Sequence, residues 1–213
     1  MLRFQSRSPL FTYLLFISLL ASTAFAKDLW TRNWESIRAA SINIHSLQAS
    51  FTQRKYMKIL KRPLVSTGSI FYQAPGRLRW EYHDPIRQVL LVNGSKIKKY
   101  ITEGKRLIED HSGSVEAMRM IMDHIASWLT GDFEKDGMFS KELQAQTPPC
   151  IVLKPITEPT SRFIRSIKLV PGKNPGVLER IEIEEFGDAS TVIEFDMVLL
   201  NTSIADSVFE SAQ

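Results

Sequence analysis

Beyond residue 50 the apolar side chains of this 213-residue chain recur at every second position, in run after run, with turn residues between the runs. A chain satisfies that period only as β-strands, which turn alternate side chains to opposite faces. The clearest run is 77–82, where Leu78, Trp80 and Tyr82 fall on one face and Arg77, Arg79 and Glu81 on the other. Strands are predicted over about 50–60, 64–73, 77–83, 87–93, 96–102, 138–146, 150–156, 163–171, 177–185 and 190–200. Pro75-Gly76, Asp84-Pro85, Asn93-Gly94, Pro148-Pro149, Pro159 and Pro171-Gly172 separate them, Asn-Gly being the strongest hairpin signal of the set. About eleven strands joined in sequence predict an antiparallel meander, curled into an open or incomplete barrel.

Two stretches carry the helical period instead. Over 29–47, Trp30, Trp34, Ile37, Ile44 and Leu47 recur at spacings of three, four and seven. Over 115–130, Met118, Ile121, Met122, Ile125, Trp128 and Leu129 form an apolar stripe, with Met120 adding a third methionine. Ser114 can cap this second helix, Glu116 suits its positive end, and Gly131 stops it. The fold class expected is therefore mainly β with two or more helices, an α+β chain.

The first 26 residues stand apart from this fold. Arg3 and Arg7 precede a short apolar run over 10–21, and Ala24-Phe25-Ala26 places small residues where a signal peptidase reads. This is the pattern of a secretory signal peptide cleaved after Ala26. The apolar run is short for a bilayer span, which needs about 20 residues. Position 27 is Lys rather than Cys, so a bacterial-type lipid anchor is not expected. Residues 27–213 are then one exported domain, with no later segment long and apolar enough to span a membrane.

The search for chemistry returns little. With 27 basic and 23 acidic residues the net charge of +4 is too small to imply nucleic-acid binding. The single cysteine, Cys150, has no partner for an intrachain disulfide and no zinc ligand set, and reads as a buried inert thiol. His45, His83, His111 and His124 are scattered without metal-like spacing; His83 and His124 read most simply as solvated surface. No nucleophile elbow, phosphate loop or zinc-protease motif occurs. No catalytic residue, metal or cofactor is assigned, and an enzyme is not expected. The acidic run Glu182, Glu184 and Glu185 reads as a solvated strand face, with an acidic docking edge as the alternative. The aromatic face of 68–82 can either fill its own core or line a cavity for an apolar ligand.

Several of these stretches resemble one known family. They are Ser46-Leu47-Gln48-Ala49-Ser50-Phe51-Thr52-Gln53; Gly68-Ser69-Ile70-Phe71-Tyr72 followed by Pro75, Leu78, Arg79, Trp80 and Tyr82; and Leu91-Val92-Asn93-Gly94 with Tyr100. Near the C-terminus they are Ile181-Glu182-Ile183, Gly187-Asp188, 191–195, Asn201, Ile204, Ala205-Asp206 and Phe209. In this order the chain resembles the outer-membrane lipoprotein carrier protein (LolA) family over nearly all of residues 27–213. The resemblance puts the end of the first helix at 46–53. It implies an incomplete antiparallel β-barrel with a helical lid over an apolar cavity. It implies a periplasmic, monomeric chaperone that takes lipoproteins by their acyl chains from an inner-membrane ABC transporter to an outer-membrane acceptor lipoprotein.

By the same resemblance Leu47, Phe51, Ile70, Tyr72, Leu78, Trp80 and Tyr82 are acyl-chain contacts, Leu78 standing where relatives often place phenylalanine. Met118, Met122 and Ile125 belong to the lid, methionine being a side chain that repacks around varied shapes. Relatives often carry arginine before the motif's proline, hydrogen-bonded to the lid; this chain has Ala74. Arg77, Arg79 and Lys98 are the candidates for rim or lid hydrogen bonds, although Arg77 and Arg79 alternate away from Leu78. Lys98 and Lys99 replace aromatics frequent in relatives. Two other readings stay open: a carrier of another amphiphile, such as a glycolipid or exported lipid, and a periplasmic sensor or interaction module on the same half-barrel.

Overall fold

A computed structural model describes residues 42–111, 137–144, 150–158, 160–172 and 177–212, together with Ala39, His124, Ile125, Ser127 and Trp128. The chain divides into two units, Met1–Ser36 and Ile37–Gln213, of which the first lies outside the described residues. The expected signal peptide and most of both predicted helices lie outside them too.

Eleven strands make one antiparallel sheet: β1 (Ser46–Met57), β2 (Leu64–Gln73), β3 (Arg77–Asp84), β4 (Gln88–Asn93), β5 (Lys96–Glu103), β6 (Arg106–Glu109), β7 (Phe139–Gln144), β8 (Cys150–Pro155), β9 (Ile164–Pro171), β10 (Leu178–Glu185) and β11 (Ala189–Leu200). Their order is β6-β5-β4-β3-β2-β1-β11-β10-β9-β8-β7. Two meanders thus meet where the first strand pairs with the last, and the sheet stays open, with β6 and β7 as its edges. The complete helical elements among the described residues are α1 (Thr160–Phe163) and a 3-10 turn, Asp206–Phe209.

The first predicted helix overran. The chain is out of helix by Ile42, and all of Ser46–Gln53 lies on β1. Ile44 and Leu47 fit a helical spacing of three, but Leu47, Ala49 and Phe51 also alternate, and all three are buried. Pairing on both sides decides between the two patterns: β1 bonds to β2 along 46–55 and to β11 along 47–57.

Register carries three rows of side chains across the first half on one face. They are Leu47–Tyr72–Leu78–Val92–Ile97, Ala49–Ile70–Trp80–Leu90–Lys99 and Phe51–Gly68–Tyr82–Gln88–Ile101. On the second half the same face continues as Gln53–Ile193–Ile181–Leu169–Ile151. Strands three positions apart lie roughly 14 Å from one another in a flat sheet. Trp80 on β3 and Phe195 on β11 are so separated, yet their ring centroids are 6.3 Å apart. The sheet therefore bends around this face.

The opposite face of β3–β5 is covered by the C-terminal segment. Val89, Leu91 and Ala212 form a buried cluster, joined by Tyr100 and Leu107. The turn that begins this cover is fixed at Asn201, held at φ 54°. Its side-chain oxygen accepts from the His45 amide at 2.8 Å, and its amide nitrogen donates to Asn43 O at 3.0 Å. These bonds tie the entry of β1 to the exit of β11.

Candidate functional site

The apolar face centres on four aromatic rings. Phe51 lies 4.4 Å from Trp80 and meets Tyr82 edge-on at 5.3 Å, centroid to centroid. Phe51 and Tyr82 sit on strands separated by β2, and Gly68 is the β2 residue between them in register. A Cβ at Gly68 would stand 2.4 Å from Phe51 Cζ and 2.1 Å from the Glu81 carbonyl oxygen. The missing side chain lets the Phe51 ring cross β2 and close the cluster. The Tyr82 hydroxyl donates to Gln53 Oε1 at 2.9 Å. Burial pushes the Tyr82 pKa up, against the hydrogen bonding of Trp80 and Gln53.

Among the proposed acyl-chain contacts, Leu47, Phe51, Ile70, Leu78 and Trp80 are buried on this face, while Tyr72 and Tyr82 are half-buried on it. Of the expected lid residues, Met118 and Met122 lie outside the described residues, and Ile125 is helical and buried. Its neighbours His124 and Trp128 stack on each other at 5.8 Å, and both meet the Phe139 ring at 5.3 and 5.9 Å. Phe139 alternates with Lys141, which faces Leu153 and Ile167 in register. The helical residues thus touch the apolar face at its β7 edge. His124, read from the sequence as solvated surface, is buried in this aromatic group. The apolar surroundings of its ring were not visible in the helical spacing, because Phe139 is supplied from another element. His83 is exposed and hydrogen-bonded to Ser69 Oγ at 3.1 Å.

The charged candidates sort by face. Arg79 is buried on the face opposite Trp80. It pairs with Glu81 at 2.7 Å and donates to the carbonyls of Val208 at 3.0 Å and Ser211 at 2.7 Å. Arg77 pairs with Asp206. Arg87 bonds Glu81 at 2.8 Å and the Ala212 carbonyl at 3.1 Å. Burial pushes the Glu81 carboxyl up, but hydrogen bonds from Arg87 and Arg79, with their charges, outweigh it and hold the pKa below the usual carboxylate range. These arginines bind the C-terminal segment. Lys98 shares their face, is exposed and pairs with Glu109 at 3.5 Å. Lys99 instead takes the apolar face beside Leu90, where it forms a largely buried pair with Asp110 at 2.9 Å.

The sequence reading did not single out Phe195, Leu90 or Gln53 as parts of this site. Phe195 stands between Glu194 and Asp196 at the far end of the chain, and only the pairing of β1 with β11 brings it to Phe51. Cys150 is fully buried, and burial raises its thiol pKa above the ordinary value. The acidic run is partnered: Glu182 with Arg180 of its own strand at 2.8 Å and with Lys168 of β9 at 3.6 Å, Glu184 with Ser166 Oγ at 3.0 Å and Glu185 with Lys55 at 3.0 Å. Among the described residues no His, Cys, Asp and Glu cluster could hold a metal, and no helix is long and apolar enough to cross a membrane.

A protein from Methylococcus capsulatus named outer-membrane lipoprotein carrier protein is 33% identical over 180 residues, 84% of this chain and 77% of that one. One of the same name from Dechloromonas aromatica is 24% identical over 168 residues, 79% and 77% of the two chains. Among solved structures, a LolA superfamily protein from Nitrosomonas europaea aligns with TM-score 0.45 and 10% identity over 85% of this chain and 97% of that one. The Pseudomonas aeruginosa MucA/MucB complex aligns with TM-score 0.46 and 13% identity over 84% and 59%. The family described as outer membrane lipoprotein carrier protein LolA matches residues 42–212, and the chain belongs to that family.

Proposed function

We propose that this protein is a periplasmic chaperone for lipoproteins. It is exported with its first 26 residues removed, binds lipoprotein acyl chains on the apolar face, and acts as a monomer without a cofactor. It collects cargo from an inner-membrane ABC transporter and delivers it to an acceptor lipoprotein at the outer membrane. The observation that carries this reading is the aromatic cluster of Phe51, Trp80, Tyr82 and Phe195 on one face of the sheet, with helical residues lying against one edge of that face.

Exposing an acyl chain of about 16 carbons to water costs on the order of 12 kcal/mol, at about 0.8 kcal/mol per methylene. A carrier must supply comparable apolar surface and still release its cargo. Helix and cargo competing for one face meets both needs, since the helix re-covers the side chains that the cargo leaves. On this reading the work of the face is binding and release rather than bond making.

The test adds purified residues 27–213 to spheroplasts of the source bacterium and assays the supernatant for lipoproteins. Stoichiometric soluble complexes are expected. Absence of released lipoprotein, with a folded protein, would assign the face to another amphiphile such as a glycolipid, to be identified by extracting the periplasmic protein.

A further inference from the structure

A second apolar surface lies at one end of the sheet, away from the residues assigned to cargo. At this end β1 turns into β2, β10 turns into β11, and α1 leads into β9. Ile59 in the first turn is 87% exposed, and Leu60 and Leu64 beside it are also exposed. Phe186 in the second turn and Phe163 at the third are 51% and 68% exposed. The three sites are joined. Lys58 Nζ reaches Asp188 of the β10–β11 turn at 3.2 Å, and the Phe186 amide donates to Phe163 O at 3.0 Å.

The charge around these side chains is lopsided. Residues 54–65 hold five basic residues, Arg54, Lys55, Lys58, Lys61 and Arg62, and no acid. Arg54, Lys55 and Lys58 are bonded to Glu194, Glu185 and Asp188, while Lys61 and Arg62 stand exposed at the tip with Ile59 and Leu60. Arg162 pairs with Glu158, and Arg165 lies over the Phe186 ring at 5.4 Å. The most exposed apolar side chain of the sheet is thus flanked by cations.

We infer that this end docks on the surface of an anionic phospholipid bilayer, with Ile59, Leu60, Phe163 and Phe186 entering the headgroup layer and Lys61 and Arg62 meeting lipid phosphates. Apolar side chains on separate turns of a curved sheet suit a soft surface better than a protein partner, whose stable interface needs about 800 Å² of matched area per side. Lysine and arginine beside a few apolar side chains are the pattern of interfacial binding, strengthened by anionic lipid and weakened by salt. Binding of this kind is reversible, as befits a molecule that must leave again. The inference rests on this end alone and does not depend on the cargo.

The test is co-sedimentation of the purified protein with vesicles of phosphatidylethanolamine and phosphatidylglycerol, against vesicles of phosphatidylcholine. Binding to the anionic vesicles is expected, with loss of most of it between about 0.05 and 0.5 M salt. The pair I59D/L60D should lower affinity at least about tenfold, and K61E/R62E should remove the preference for anionic lipid. Leu199→Asp, an exposed site on the outer face of β11 at the other end, should change nothing. In I59W, indole emission should shift to the blue on anionic vesicles alone. Equal binding to both vesicle types, no binding at low salt, an unshifted I59W, or a protein dimer dispersed by I59D/L60D would each overturn the inference.

Discussion

Gly68 shows how one residue can decide the site. Its lack of a side chain admits the Phe51 ring to the space between β1 and β3, and the chain at this point also passes close to the Glu81 carbonyl. A methyl group would strike both, and the carbonyl cannot give way without moving β3. G68A is expected to lower stability by about 3 kcal/mol, the upper part of the range for overpacked cores, read as a shift in the urea midpoint. An unchanged midpoint would mean that the ring does not cross β2 here. Glu81 makes a second residue-level prediction. Its carboxyl titrates below the usual range because Arg87 and Arg79 bond it, despite the opposing pull of burial. A depressed folded pKa gives stability that is complete above the unfolded value, about 4.3, and is lost as pH falls through the folded value. Glu81→Gln leaves Arg79 buried beside a neutral amide and should cost about 3 kcal/mol at neutral pH. Parent and variant should converge as the solution is acidified below pH ~4. A gap that persists at low pH would separate the loss from the charge.

The C-terminal segment acts as the second cover of the sheet. Arg77, Arg79 and Arg87 reach Asp206 and the carbonyls of Val208, Ser211 and Ala212, while Phe209 is buried beneath the 3-10 turn. Phe209→Ala removes the apolar anchor and leaves the charged network in place, so it should cost about 3–5 kcal/mol by urea unfolding. A loss below 1 kcal/mol would mean that the arginines alone hold the segment. This cover also explains what the sequence could and could not reveal. The strand over 64–73 was readable to its ends, because Pro63 and Pro75-Gly76 lie just outside it, although apolar residues stand side by side within it at 70–72. The start of β1 was not, since Leu47 fits both periods and only β2 and β11 decide between them. β6 escaped because four residues, Arg106–Glu109, are too few to show a period. The motif from Asn201 to Phe209 was recognisable as a family likeness, yet its physical task, capping the face of Val89 and Leu91, depends on contacts more than a hundred residues away in sequence. Arg79 and Glu81 alternate visibly to the outer face, but alternation could not say that the outer face there is buried.

The outer face of the β3–β5 region is therefore covered by the chain's own C-terminus through fixed charged bonds, while helical residues rest on Phe139 at the β7 edge of the apolar face. On the proposed function the helical cover is the one that exchanges, an acyl chain taking the place of its aromatic contacts at little net cost. This asymmetry predicts that stability and carrying separate by face. Phe209→Ala should lower the urea midpoint while the folded fraction still releases the parental amount of lipoprotein from spheroplasts. Tyr72→Glu, half-buried on the apolar face, should keep a midpoint within about 1 kcal/mol of the parent and lose release at least about tenfold. Leu78→Glu, in the same row but fully buried, should also abolish release, with a larger stability cost from burying a carboxylate. Near-ultraviolet circular dichroism of each variant establishes that it is folded before release is scored. If Tyr72→Glu and Leu78→Glu both fold and carry normally, the acyl chains do not lie on this face. If Phe209→Ala loses release in proportion to carrier that is still folded, the two covers are coupled through the sheet and the closed C-terminal face takes part in the exchange.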